Sequence, residues 1–188
     1  MRFPEITSPV IFTVFVAATL WLILVVTAPL MVPTGMFTDL SGTTAYHDNE
    51  DLFEQVHWLP HAVYWIGDGE CHQLASRSYF LNDNQMPFCA RDLGIFAGVA
   101  LGFGFVAFVR FKMPPLWVFV GLAPLAVDGT VQLVTSYESV NPLRLATGIS
   151  AGATCALLLA HFIFVLQEDR QPREPAEDQS GHVNLRQP

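Results

Sequence analysis

Four long apolar stretches decide what this chain can become: residues 9–32, 90–109, 116–136 and 142–167. A helix needs about 20 mostly apolar residues to cross the hydrocarbon core of a bilayer, and each stretch meets or approaches that length. In a chain of 188 residues, 52% of them hydrophobic, the remainder is mostly one long segment, 33–89, and a polar tail, 168–188. The pattern predicts an all-α fold. It is a four-helix transmembrane bundle over residues 1–167, with a long extracytoplasmic loop between the first two helices and a disordered cytoplasmic tail. The first stretch is longer than the roughly 7–15 apolar residues of a signal peptide and has only Arg2 as a basic flank, so it reads as a retained anchor.

Charge predicts the orientation. The net charge of −8 argues against nucleic acid as a partner, which wants a clustered basic surface. Cytoplasmic flanks of membrane helices are enriched in lysine and arginine. The connector Arg110–Pro115 holds Arg110 and Lys112. Placing it inside puts Arg2, Arg170, Arg173 and Arg186 inside as well, and Arg77, Arg91 and Arg144 at the outer edge. The expectation is a multi-pass protein of the cell membrane with both termini cytoplasmic and membrane lipid as its constant neighbour.

The segment 33–89 carries eight acids and one arginine. From Leu52 to Ile66 its apolar residues fall at helical spacing, and Trp58, Tyr64 and Trp65 favour a membrane interface. Gly67-Asp68-Gly69 is expected to stop that helix, and Leu81–Pro87 reads as a turn-rich connector. Gly94, Gly98 and Gly102 recur at intervals of four, as do Gly148 and Gly152. Such spacing lets helix backbones approach closely, within a chain or in a homo-oligomer.

Asp128 is an acid in an otherwise apolar run, where a carboxylate costs about 2.5–3.5 kcal/mol on insertion scales and calls for a partner. With its helix ending near Ser136, it lies roughly 12 Å below the outer boundary. Gln132 is one turn above it on the same face. Arg91 and Asp92 open the second membrane helix, and Arg144 opens the fourth. Asp128, Arg91, Arg144 and Gln132 are therefore the candidate catalytic set, with Asp128 as general acid or base and the arginines holding an anion. The alternative use of those arginines is to neutralise Asp128 and Asp92.

Cys71, His72, Cys89 and Asp92 are ligand types suited to a metal such as zinc. A disulfide between Cys71 and Cys89 is the competing reading on an oxidising face of the membrane. His57 and His61 stand four apart, but Pro60 between them weakens that pair. Cys155 reads as packing within its helix. No phosphate-binding loop, Gly-x-Ser-x-Gly elbow or His-Glu-x-x-His pair is present.

Several strings together resemble one uncharacterised family of prokaryotic integral membrane proteins, domain of unknown function 2085. They are Cys71-His72-Gln73, Arg77-Ser78, Cys89-Ala90-Arg91, Gly94-Ile95-Phe96, Asp128-Gly129-x-x-Gln132 and Asn141-Pro142-Leu143-Arg144-x-x-Thr147-Gly148. The resemblance covers about residues 70–155 and links Cys71, His72, Arg91, Asp128, Gln132 and Arg144 as one set. In many members of that family a second cysteine stands where this chain has Asp92. The expected function is an outer-leaflet polar site binding a metal or an anionic lipid headgroup. The alternative is a structural or accessory subunit whose polar residues only pair helices.

Overall fold

The computed structural model describes residues 6–169. Within them the chain is mostly helical, and four helices are long and apolar enough to cross a membrane. In chain order the elements are α1 (Pro9–Thr27, prolonged by a 3₁₀ turn to Met31), α2 (Glu50–Phe53), α3 (Trp58–Glu70) and a 3₁₀ turn at Ala75–Arg77. Then follow β1 (Ser78–Leu81), β2 (Asn84–Cys89), α4 (Ala90–Phe108), α5 (Trp117–Val134) and α6 (Asn141–Asp169). The tail expected to be disordered from residue 168 lies outside the described residues from 170 onward, while Glu168 and Asp169 end α6. Large apolar side chains such as Leu101, Phe119, Leu133 and Phe162 are exposed along the four long helices. That surface is unfavourable in water and natural in lipid.

The four spans pack in the order α1, α4, α6, α5, and the α4–α6 pair is the closest. A Cβ on Gly98 would collide with the Ile149 carbonyl, and one on Gly148 with the Arg91 carbonyl. The glycine spacing of both helices is thus used within one chain. α5 lies at the margin, and Asp128 is its one buried residue. Gly121 seats against Thr154, and Ser150 donates to the Gly121 carbonyl at 2.7 Å. That bond ties α6 to α5 about one turn before Pro124. At the end of α6, Glu168 pairs with Arg110 at 2.8 Å and Lys112 at 2.5 Å.

Between α1 and α4 the chain is a folded cap rather than a loop. Phe37, Leu40, Phe53, Val63, Tyr64, Met86 and Phe88 share one core with Val25 and Ala28 of the first span. The all-α expectation fails here, because β1 and β2 form an antiparallel hairpin. Its two loop residues, Asn82 and Asp83, both have φ of 57°, the left-handed geometry that suits a tight hairpin turn. Buried amides fasten the cap. Asn84 accepts from Phe37 N at 2.9 Å and donates to the Pro33 carbonyl at 3.0 Å. Gln85 accepts from Leu40 N at 3.1 Å and donates to the Gln73 carbonyl, while Gln73 donates to the Pro87 carbonyl at 2.6 Å.

Two further expectations are corrected. The helix predicted over Leu52–Ile66 is broken after Phe53 and restarts at Trp58. Pro60 lacks an N–H to continue the first helix, yet it fits a first turn, where the backbone donors have no helical partner anyway. Gly67 and Gly69 do not stop α3, which runs on to Glu70. They admit neighbours instead, since a Cβ would meet the Pro87 carbonyl at Gly67 and the His47 ring at Gly69.

Candidate functional site

α3 ends at Cys71, whose extended backbone (φ −134°, ψ 144°) turns the chain toward the membrane helices. β2 delivers Cys89 to the N-cap of α4, and Asp92 follows in the first turn. These elements bring Cys71, Cys89 and Asp92 together, with their ligand atoms all within 4.8 Å of one another. The Cys89 thiol donates to Asp92 Oδ2 at 3.1 Å. His72 is not in this group. Successive side chains on extended backbone point to opposite faces, so His72 is exposed and its Nδ1 lies 3.2 Å from the Gly42 carbonyl.

Both Cys71 and Cys89 are free thiols here, close enough that the choice between metal and disulfide stays open. Their titration is split. The hydrogen bond that Cys71 gives to the Cys89 sulfur lowers the Cys89 pKa. The same bond, with burial, pushes the Cys71 thiol far up. A position at the N-terminus of a long helix also favours the Cys89 thiolate. The pair therefore gives up its first proton from Cys89 and retains the other on Cys71.

The three groups open onto a cavity of about 220 Å³, also lined by Glu70, His72, Arg77, Arg91 and Arg144. Arg91 reaches from α4 to α5 and donates through Nη2 to Asp128 Oδ2 at 2.5 Å and to Gln132 Oε1 at 3.3 Å. Asp128 is six residues from the end of α5 at Val134, about 9 Å of rise. It lines a groove between α5 and α6 rather than the cavity. Arg144 is 2% exposed. Its Nη1 donates to Asn141 Oδ1 at 3.2 Å, and among the described residues its Nη2 has no hydrogen-bond partner, with Glu138 Oε1 3.5 Å away. Arg77 donates through Nε to that same Glu138 oxygen at 3.2 Å.

Of the expected catalytic set, then, Arg91 joins Asp128 and Gln132 in one partly buried cluster, while Arg144 belongs to a second cluster with Glu138 and Asn141. Sequence reasoning passed over Glu138 and Glu70, which carry no motif. The only signal for Glu138 is an acid in a short connector between two spans. His57 and His61 form no pair. His57 caps α3 through Leu59 N, and His61 Nδ1 lies 2.8 Å from the Phe53 carbonyl. Cys155 is exposed on the outer face of α6, not packed within it.

The model of a family described as predicted membrane protein (DUF2085) matches residues 71–158. An uncharacterised protein of Methanocaldococcus jannaschii is 40% identical over 99 residues, covering 50% of this chain and 64% of that protein. An uncharacterised protein of Methanothermobacter thermautotrophicus is 32% identical over 99 residues, covering 50% of this chain and 89% of that protein. The chain thus spans just under two thirds of the first relative's length and most of the second's. No solved structure matches. Every residue of the two clusters and of the thiol group lies within 71–158; α1 and most of the cap lie outside it.

Proposed function

The chain belongs to the DUF2085 family of predicted membrane proteins, and from that premise we propose that it holds a divalent metal, zinc by donor type, at a site on the outer leaflet. The observation that carries this reading is the convergence of Cys71, Cys89 and Asp92 within 4.8 Å. Zinc takes sulfur at about 2.3 Å and carboxylate oxygen at about 2.0–2.2 Å in a tetrahedron, so two ligands of one ion stand about 3.5–3.8 Å apart. The widest of the three spacings needs up to about 1 Å of closure. Three protein ligands leave a fourth position facing the cavity, the arrangement of zinc sites that work on a bound molecule. Binding the ion displaces the thiol protons, so affinity rises with pH.

The outward placement rests on Arg110 and Lys112 at the opposite ends of the spans, which favour the cytoplasm. Both termini are then cytoplasmic and the cap faces out. A second reading, that the polar residues only pair helices, is favoured by Arg91 and Asp128. Their bond ties α5 to α4 where little else does, and it leaves Asp128 off the cavity wall.

The test is metal content per chain in protein purified in detergent without chelators. About one zinc per chain is expected for one site, lost in the double variant Cys89→Ser, Asp92→Asn. A metal-free protein with Cys71 and Cys89 oxidised to each other would overturn the reading and make the pair a staple of the cap.

A further inference from the structure

Arg77 and Arg144 come from different elements and converge on one oxygen of Glu138. Glu138 is 57% exposed at its side chain, whereas Arg144 is almost wholly buried. A buried guanidinium with an unpartnered Nη2, leaning on a solvent-facing carboxylate, is an incomplete arrangement. An unsatisfied buried donor costs free energy, and a mobile surface acid supplies only part of what that donor needs. A phosphate has more acceptor oxygens than a carboxylate and suits two guanidiniums better. Glu138 occupies the seat such an anion would take.

The cavity does not end at the arginines. Its walls include Glu70 and Asp92, and these two also line an apolar groove of about 400 Å³ formed by Trp21, Ile66, Phe88, Ile95 and Phe96. Ile66 is exposed, so the groove opens at the surface where the cap meets the spans. A polar chamber too small for a whole lipid thus shares a wall, Glu70 and Asp92, with an apolar groove. We propose that the occupant is a membrane lipid with a phosphate head. The phosphate displaces Glu138 and bridges Arg77 and Arg144, and an acyl chain lies in the groove. The Glu70 carboxylate at the junction keeps the phosphate on the arginine side by repulsion, whether or not Asp92 holds a metal. This goes beyond the metal reading and does not depend on it.

Trp21 in the groove makes the test direct. Full-length protein is reconstituted in phosphatidylcholine vesicles containing a small fraction of phosphatidic acid with brominated chains, which quench tryptophan on contact. The control is brominated phosphatidylcholine at the same fraction. Quenching by the phosphatidic acid is expected at about a tenfold lower mole fraction, the effect of one well-placed charged hydrogen bond. Trp21→Phe removes that component. Arg144→Gln and the more exposed Arg77→Gln abolish the preference, so a folding defect in the buried variant does not decide the matter alone. Glu138→Gln strengthens the preference, because the competing anion is gone.

Equal quenching by the two lipids, an unchanged preference in Arg77→Gln, or a weaker one in well-folded Glu138→Gln would each overturn the proposal. Loss of the preference on adding millimolar inorganic phosphate would assign the seat to a free oxyanion instead. Zinc measured on the same samples separates the two readings, since Arg77→Gln is expected to keep its metal.

Discussion

At Asp128 the chain carries a charge where lipid would otherwise surround it, and Arg91 answers it at 2.5 Å with Gln132 alongside. The Arg91 side chain is 27% exposed and that of Asp128 4%, so the pair sits at the boundary between the cap cavity and the membrane. Removing one partner of a buried pair leaves the other uncompensated, at a cost of about 3–5 kcal/mol, whereas replacing both with apolar residues is often close to neutral. Asp128→Asn and Arg91→Gln are therefore each expected to lower the thermal midpoint in detergent. The double variant Asp128→Leu, Arg91→Leu should be no worse than either single change. Additive losses in the double variant would mean that the two residues act separately, and the pairing role would fall. The thiol group is a different case. Cys71 and Cys89 are recognisable in the sequence because the chain has only three cysteines, and Asp92 because it follows Cys89 at ligand spacing. His72 was misleading because adjacency in sequence becomes opposition on extended backbone.

Among the elements, the α4–α6 seam depends most on having no side chains. Gly94, Gly98 and Gly102 of α4 face Gly148, Gly152 and their neighbours across backbone-to-backbone contacts. In lipid such contacts replace the hydrophobic force that packs helices in water. Gly148→Ala must push the Arg91 carbonyl aside, and overpacking of this kind costs about 1–3 kcal/mol. Gly129 in α5 has nothing within 4 Å of an added Cβ, so Gly129→Ala should be tolerated and gain up to about 1 kcal/mol from reduced chain entropy. Thermal midpoints of the two variants, measured side by side, check the contrast. Equal effects would remove the close-contact account of the seam.

The spans were legible because length and hydropathy act locally, and the four helices fall within two residues of the boundaries read from the sequence. The cap was not, because its structure is decided by distant partners. Asn82-Asp83 turns a hairpin only because Asn84 and Gln85 are anchored to Phe37 and Leu40. Gly67 reads as a stop signal until the Pro87 carbonyl occupies the space beside it.

For the whole molecule, the decisive question is which face of the membrane the cap occupies, because the chemistry of the site follows from it. Arg77, Arg91, Arg144 and the thiol group all lie on the cap side, while Arg110 and Lys112 lie at the other end, bound to Glu168. The basic connector between α4 and α5 is short, the kind of loop in which lysine and arginine control topology. The cap is acidic, and acids contribute little to orientation, so the connector carries the prediction that the cap faces out. On that face Cys71 and Cys89 would meet an oxidising environment, where the proposed metal would protect them and its loss would invite a disulfide. Single-cysteine reporters test this in intact cells with a membrane-impermeant maleimide. The background chain carries Cys71→Ser, Cys89→Ser and Cys155→Ala. Ser76→Cys, exposed on the cap, should label at once, and Pro115→Cys, exposed in the connector, only after the membrane is opened. The reverse pattern would turn the molecule over. The arginines would then face the cytoplasmic leaflet, a metal would sit among reduced thiols, and the lipid phosphate offered to Arg144 would belong to the inner leaflet.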